Sequence, residues 1–211
     1  EHMKGRILKG STPENRIRVI HTGIDALAIQ QRGNRSSFRG SFGIPEDALV
    51  IGTISRVSIE KGHCYLLDAI SAVHESHPEV YLVICGDGPA RLDLEAQCKR
   101  LHLTDRVIFT GFVDSVADAL AAMDIFAQPS VEQEGFPTSL LEAQLAGLPV
   151  VASDIGGISE TMQPSETGLL TRPRDPESLA TALRDLVRNE DQRREMGSAA
   201  RSWVEQSFTL D

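Results

Sequence analysis

The chain has 211 residues, of which 41% are hydrophobic and 24% are charged, and this balance is typical of one globular domain with enough apolar material for a core. The net charge of −9 argues against binding to a phosphate backbone, and the aromatic content of 5% argues against a surface that stacks nucleic-acid bases. Three cysteines without C-x-x-C spacing predict reduced thiols of a cytosolic protein. We find no secretory signal and no apolar run long enough to cross a bilayer.

The two ends of the chain differ in charge. Residues 1–40 contain eight Lys/Arg and three Asp/Glu, a balance of +5, whereas the remainder contains thirteen and twenty-seven, a balance of −14. We interpret residues 1–15 as an expression remnant followed by a linker, and residues 16–211 as the folded domain. The basic segment is predicted to be linker and domain-interface surface, with binding to an anionic acceptor or a membrane surface as the alternative.

From about residue 49, short Val/Ile-rich runs alternate with amphipathic stretches. The runs show little polar alternation, which is typical of strands buried on both faces. The predicted strands are 50–55, 80–85, 107–110, 125–128, 150–153 and 168–170, with a further short candidate at 16–21. The predicted helices are 62–76, 90–101, 116–122, 139–146, 157–162, 176–189 and 192–206. Residues 24–45 are predicted to be the least regular stretch.

Repeated βα units predict an α/β fold: a doubly wound parallel sheet of about six strands, with right-handed crossovers and helices on both faces. Open sheets of this kind bind ligands at the carboxyl ends of their strands. Chemically active residues at those ends are therefore the candidates for a functional site.

Glu134 and Glu142 form the most informative pair, with seven residues between them after the predicted strand 125–128. Glu134 lies in a Gly/Pro loop and Glu142 about one turn into the next helix. Carboxylates beside the free N–H groups of a helix start suit a ligand that carries both hydroxyls and phosphates. Glu142 also has a structural interpretation, because Ser139 followed by Glu142 fits a capping box.

Arg56 and Lys61 follow the first predicted strand, and Lys61-Gly62 opens a helix. An Arg fork and a Lys point charge beside exposed helix N–H groups are typical of a diphosphate site. Two solvated surface charges are the alternative. Gly86 and Gly111 end the next two strands, where glycine allows a tight turn or a close approach to a ligand.

These pieces occur in an order that resembles the C-terminal, donor-binding domain of retaining GT-B glycosyltransferases of the family 4 type, also called group 1. The resemblance includes the E-x7-E pair and the R-x4-K-G pattern, and it extends over nearly the whole chain from about residue 16. It predicts a Rossmann-like half of such an enzyme. The segments that carry it are 19–25, 52–62, 86–89, 107–113, 129–143, 145–153 and 156–160.

The resemblance implies a role for each matching residue. Arg56 and Lys61 hold the diphosphate and stabilise the charge that develops on it, Glu134 contacts the donor hexose, and these three are the predicted catalytic residues. Glu142 binds the ribose hydroxyls. The remaining predicted donor-binding residues act through loop and backbone groups near the sugar, phosphate or nucleobase: Gly135, Phe136, Pro137, Thr138, Ser139, Gly86, Gly111, Phe112 and Val113.

The implied reaction is hexosyl transfer from a UDP-, GDP- or ADP-sugar to an acceptor hydroxyl with retention, without a metal or other cofactor. The implied partner is an N-terminal acceptor domain, nothing of which matches this sequence, so the chain alone is expected to be nearly inactive. The full-length enzyme is expected in the cytoplasm, and peripheral association with a membrane is left open. A sugar-nucleotide epimerase and a non-catalytic nucleotide-binding module are the alternatives, whereas the arginine–lysine pair disfavours a glycosidase.

Overall fold

Six short strands form one parallel sheet in the structure, a computed structural model that describes residues 23–24, 29, 33–132 and 134–208. The strand order is β3-β2-β1-β4-β5-β6, and all neighbouring pairs are parallel. The order reverses direction between β1 and β4, which makes this the switch point at which open α/β sheets bind ligands. The strands are β1 (Val50–Ile54), β2 (Tyr81–Cys85), β3 (Val107–Gly111), β4 (Ile125–Gln128), β5 (Val150–Ser153) and β6 (Gly168–Thr171).

Helices connect the strands and cover both faces of the sheet, so the predicted doubly wound α/β fold is confirmed. Short 3-10 turns at Ile59–Lys61 and Ile158–Glu160 complete the connections. The helices within the described ranges are α1 (Arg35–Ser41), α2 (His63–His74), α3 (Arg91–Arg100), α4 (Val116–Ala121), α5 (Thr138–Leu145), α6 (Pro176–Arg188) and α7 (Glu190–Ser207).

Successive side chains of each central strand enter opposite layers of the core. In β1, Val50 packs in one apolar cluster and Ile51 in the other; in β4, Phe126 and Ile125 divide in the same way. Helices α2, α3 and α6 supply one layer, and α1, α4 and α5 supply the other. This arrangement explains the absence of polar alternation in the sequence, because both faces of each central strand are buried.

The last two helices follow each other without a strand between them, as predicted. The side chain of Asp175 caps α6 by accepting a hydrogen bond from the Ser178 N–H, and Pro176 occupies the first turn, where its missing N–H costs nothing. Asn189 caps α7 by accepting from the Gln192 N–H. One residue thus ends one helix and begins the next.

The prediction that residues 24–45 are irregular was wrong for α1. Asn34 caps this helix, and its fifth residue, Arg39, is fully buried. The Arg39 guanidinium donates to the carbonyls of Ala122 and Ala48 and pairs with Asp124 at 3.0 Å. A basic residue in a polar segment gave no signal for this burial, because the acceptors come from a distant part of the chain.

The predicted helix at 157–162 was also wrong, since only the three-residue turn Ile158–Glu160 forms. Gly156 lies in the left-handed region with φ of +58°, and Thr161 turns its hydroxyl back to the carbonyl of Ile158 at 2.7 Å. The strand candidate at 16–21 and the predicted linker at 1–15 lie outside the described residues. The domain boundary at residue 16 therefore stays a prediction.

Candidate functional site

The loops after β1 and β2 are joined by backbone contacts. The N–H of Ser55 donates to the carbonyl of Cys85, and the N–H of Val57 donates to the carbonyl of Asp87. A Cβ atom on Gly86 would lie 2.0 Å from the Ser55 carbonyl oxygen, and Gly86 has φ of +127°. Glycine is therefore required here by both space and backbone conformation.

The loop after β1 is joined in the same way to the loop after β4. Gly62, with φ of +70°, ends the 3-10 turn and begins α2, and a Cβ atom there would lie 2.0 Å from the Pro129 carbonyl oxygen. The Val131 N–H donates to the Glu60 carbonyl at 2.9 Å. The ends of β2, β1 and β4 thus form one continuous edge.

A cavity of about 700 Å³ opens at the carboxyl ends of β1 and β2. It brings together four predicted site residues, Arg56, Gly86, Phe112 and Val113, and the Gly86 N–H donates a hydrogen bond to the Gly111 carbonyl at 2.7 Å. This cavity is lined mostly by apolar groups and lies at the ends of β1 and β2. Its other walls are Ile54, Ser55, Cys85, Asp87, Gly88, Pro89 and Val116.

Arg56 lies at the rim of this cavity with an exposed side chain. Its guanidinium makes no hydrogen bond or ion pair to the described residues. A planar group with five N–H donors is thus available to an anionic ligand at this edge.

Lys61 and Glu134, 73 positions apart, are in direct contact. The Lys61 ammonium donates to Oε1 of Glu134 at 2.6 Å, and the two side chains are only 23% and 14% exposed. The same Oε1 accepts from the hydroxyl of Ser130 at 2.6 Å and from the amide of Gln128 at 3.3 Å. Predicted catalytic residues from the ends of β1 and β4 therefore form one network.

The loop after β5 supports the Glu134 backbone. The Gly157 N–H donates to the Glu134 carbonyl at 2.9 Å. Cβ atoms on Gly156 and Gly157 would lie 2.2 Å from the carbonyl oxygen of Glu134 and 2.1 Å from that of Gly135. Two consecutive glycines thus let the β5 loop pack directly on the backbone that carries the carboxylate.

The capping-box interpretation of Glu142 was wrong. Helix α5 begins at Thr138 with Pro137 in the capping position, and no side chain caps it. Ser139 is already the second helical residue, so Glu142 lies beyond the position that a capping box requires. Glu142 is half-buried, burial raises the pKa of its carboxyl above the ordinary value, and it makes no hydrogen bond or ion pair to the described residues.

The other predicted residues of this segment lie around the start of α5. Gly135 and Thr138 are exposed and Ser139 is partly exposed; the first N–H groups of a helix have no intrahelical acceptor. Pro137 has no N–H and cannot donate. The ring of Phe136 packs on that of Phe208 with centroids 5.5 Å apart, so a contact from Phe136 to a donor would come from its backbone.

Three buried polar residues of this edge had no role in the sequence analysis. Gln128 and Ser130 contact Glu134, and Gln128 could have been noticed as a polar residue at the end of an apolar strand. His63 is 1% exposed at the start of α2, and its Nε2 shares a 3.0 Å hydrogen bond with the Ser55 hydroxyl. Burial, with a further contribution from Lys61, lowers the pKa of His63 to about 4.

Three broader features concern the described part of the chain. Its cysteines, Cys64, Cys85 and Cys98, are free thiols. Within the same residues, no group of three or more His, Cys, Asp or Glu side chains is arranged to hold a metal ion. None of the helices in those ranges has the length and apolar character needed to span a membrane.

The sheet order and the site at its switch point define a Rossmann-like domain of the kind that forms the C-terminal domain of GT-B glycosyltransferases. A crystal structure of the Anabaena protein HepE in complex with UDP superimposes with a TM-score of 0.90 at 28% identity, over 98% of this chain and 57% of that one. The model of the family "Glycosyl transferases group 1" matches residues 34–203. The chain belongs to this family.

Curated relatives match over nearly the whole chain. The sulfoquinovosyl transferase of Arabidopsis thaliana is 35% identical over 96% of this chain and 39% of its own length. The N-acetyl-alpha-D-glucosaminyl L-malate synthase of Bacillus anthracis is 31% identical over 93% of this chain and 51% of its own length. The chain therefore spans about two fifths to one half of these two relatives.

Proposed function

We propose that this domain binds a nucleotide-diphosphate sugar and that the full-length protein transfers the hexosyl group to an acceptor hydroxyl with retention. The 2.6 Å contact between Lys61 and Glu134 carries the proposal. In a sugar nucleotide, the hexose is bonded directly to the diphosphate. A cation that binds the phosphates must therefore lie next to a carboxylate that binds the sugar hydroxyls. Arg56 and the apolar cavity lie along the same edge, on the side where the nucleoside would extend.

In this proposal, Arg56 and Lys61 hold the diphosphate and stabilise the negative charge that grows on it as the glycosyl bond breaks. The two cations supply the positive charge that a metal ion would otherwise supply. Glu142 accepts hydrogen bonds from the ribose hydroxyls, and the cavity lined by Phe112 and Val113 takes the nucleobase. The carboxylate of Glu142 supports this assignment, because it is half-buried, makes no hydrogen bond to the described residues and can therefore accept hydrogen bonds from a ligand.

The nucleotide is tested with a panel of UDP, GDP and ADP, each with and without its sugar, in thermal-shift and calorimetric titrations of the 211-residue chain. The HepE complexes contain UDP and UDP-glucose, so UDP is the first probe. At one hundred times its Kd, a ligand that binds only the folded state should stabilise it by about 2.7 kcal/mol. If no nucleotide of the panel binds, the proposal is refuted.

The same chain is proposed to bind donor without appreciable transfer, since catalysis requires both reactants to be held and water to be excluded. Turnover should appear when the chain is joined to an N-terminal acceptor domain, as the resemblance to GT-B enzymes implies. Robust multiple-turnover transfer by the 211 residues alone would refute this part of the proposal. An isomerised donor in the absence of any acceptor would favour an epimerase.

The full-length protein is proposed to act in the cytoplasm, and the three free thiols support this, because exported proteins commonly oxidise their cysteines. Peripheral membrane association would depend on a lipid acceptor. The two relatives transfer, by their names, a sulfoquinovosyl and an N-acetylglucosaminyl group. Those names therefore do not fix the sugar of this protein.

A further inference from the structure

Two buried polar side chains at the end of β4 make their hydrogen bonds to Glu134 and to each other. Gln128 is the last residue of β4 and is 2% exposed, and Ser130 is fully buried. A polar side chain in such a place costs free energy unless its hydrogen bonds are made. Both residues lie at an otherwise apolar strand end, and the acceptor that they share is the Glu134 carboxylate. The two side chains therefore hold this carboxylate.

The hydrogen bonds of this cluster fix the orientation of the Gln128 amide. Its Nε2 donates to the Ser130 hydroxyl at 3.0 Å and to Glu134 Oε1 at 3.3 Å, while Ser130 donates its one proton to the same Oε1 at 2.6 Å. Because a carboxylate can only accept, and because the Ser130 proton is already used, the amide must present its NH2 group to both neighbours.

A consequence of this orientation is that Oε1 of Gln128 is buried without a hydrogen-bond partner among the described residues. An unpaired buried acceptor is unfavourable, and a methionine or leucine side chain would fill the same place without that cost. The hydrogen bonds of the Gln128 amide to Glu134 and Ser130 offset the cost of this unpaired acceptor.

The two oxygens of the Glu134 carboxylate are treated differently. Oε1 accepts from Lys61, Ser130 and Gln128, whereas Oε2 accepts no hydrogen bond from the described part of the chain. The carboxylate is thus anchored through one oxygen and can offer the other to a ligand. An anchored acceptor loses little rotational freedom when a hydroxyl binds to it, which favours binding.

We propose that Gln128 and Ser130 are positioning residues for sugar recognition: they hold Glu134 by Oε1 so that Oε2 accepts a hydrogen bond from a hydroxyl of the donor hexose. The inference rests on the proposed function, because it takes Glu134 as the residue that contacts the sugar. Neither positioning residue contacts the substrate itself. Their effect should therefore be confined to the part of the binding free energy that the sugar contributes.

The test compares a nucleotide with its own sugar nucleotide: UDP with UDP-glucose, GDP with GDP-mannose or ADP with ADP-glucose, whichever wild type binds. The quantity measured by calorimetry is the ratio of the two Kd values, nucleotide over sugar nucleotide. Gln128→Met and Ser130→Ala should each lower this ratio by about five-fold, as expected for one lost hydrogen bond. The Kd of the nucleotide alone should change by less than about two-fold.

Gln144 offers a matched control. It is also a fully buried glutamine whose Oε1 has no partner among the described residues, but its Nε2 donates to the Thr161 carbonyl at 2.8 Å and it makes no hydrogen bond to Glu134. Gln144→Met should therefore destabilise the fold and leave the ratio unchanged. In a Glu134→Ala background, Gln128→Met should produce no further decrease, because its effect passes through Glu134.

The possible outcomes separate the two proposals. If wild type prefers the sugar nucleotide and neither Gln128→Met nor Ser130→Ala lowers the ratio, the positioning role is refuted while the proposed function stands. A decrease of equal size in Gln144→Met would also refute it, since the effect would then be general loosening. If wild type binds nucleotide but shows a ratio of one, Glu134 has no sugar role and the inference fails. Absence of all nucleotide binding refutes the proposed function itself.

Discussion

The β1–α2 segment and the β4–α5 segment have the same layout, and their predicted site residues have opposite charge. Each consists of a strand at the switch point, a loop at its carboxyl end and a helix start, but the first carries Arg56 and Lys61, whereas the second carries Glu134 and Glu142. They meet where Lys61 contacts Glu134. The fold thus places a cation, which can attract anions, beside a carboxylate, which can accept hydrogen bonds.

The two segments are held in different ways. The first is fixed mainly by its backbone, through Gly62 and the hydrogen bonds that join Ser55 and Val57 to the β2 loop. The second is fixed in part by side chains, since Gln128 and Ser130 hold the Glu134 carboxylate. The geometry of the basic segment should therefore respond to changes at glycine, and that of the acidic segment to changes of side chains.

The largest expected effect is the loss of the positive charges of the first segment. Arg56→Ala combined with Lys61→Ala should abolish measurable nucleotide binding, because each charge-assisted hydrogen bond contributes roughly 1.5–3 kcal/mol. Calorimetry with the nucleotide that wild type binds measures the loss, and circular dichroism checks that the fold is intact. Wild-type affinity in the double variant would mean that the basic segment does not bind the diphosphate.

The two segments should also differ in how burial affects their ionisable groups. The folded-state pKa of His63 is lowered from 6.5 to about 4, so between these values the unfolded chain binds a proton that the folded chain does not. The contribution of His63 to the free energy of unfolding therefore keeps its full value above pH 6.5. It decreases by about 3 kcal/mol as the pH falls to about 4, because protonation then favours the unfolded chain. Denaturant unfolding at a series of pH values should show a steeper acid loss for wild type than for His63→Gln. Equal slopes would contradict the buried neutral histidine.

The junction of the two segments can be tested with three glycines. Gly62→Ala should destabilise the domain by at least ~2 kcal/mol, because it adds a clash with the Pro129 carbonyl to the cost of a left-handed residue. Gly43→Ala has the same backbone strain with no atom within 4 Å, and should cost about 1–2 kcal/mol. Gly40→Ala in α1, also in open space, should stabilise by about 0.5–1 kcal/mol.

Chemical denaturation of the three variants measures this series. If Gly62→Ala is no more harmful than Gly43→Ala, the close approach to the β4 loop does not matter for stability, and the two segments are not held together at this point.

The smallest effect concerns Glu142. Its replacement by glutamine should increase the stability of the fold but decrease the affinity for nucleotide. Burial raises its pKa above 4.5, so the folded state binds the proton more readily, and stability is lost as the pH rises through the window above 4.5. Glu142→Gln should therefore raise the unfolding temperature at pH 7. The same variant should weaken nucleotide binding by about 1 kcal/mol, since a neutral acceptor replaces a charged one. Unchanged affinity would remove the ribose role.

Several features could be predicted from local pattern alone. The apolar runs predicted all six strands within one or two residues, because burial on both faces leaves a signal that needs no knowledge of the partners. The positions of Arg56, Lys61 and Glu134 at strand ends followed from the same pattern, since parallel strands place their carboxyl ends on one edge. The functional roles of these residues remain predictions.

Other features could not be predicted, because they depend on residues far apart in the chain. The sequence shows that Glu134 precedes a glycine, but only the tertiary structure places Lys61 against it and turns Gln128 and Ser130 towards it. The capping box at Glu142 failed because α5 begins two residues earlier than a box with Ser139 at the N-cap requires. Local periodicity thus determined the fold class and the edge on which the site lies. The packing of separate loops decided which side chains meet there, because a hydrogen bond depends on distance in space rather than on separation along the chain.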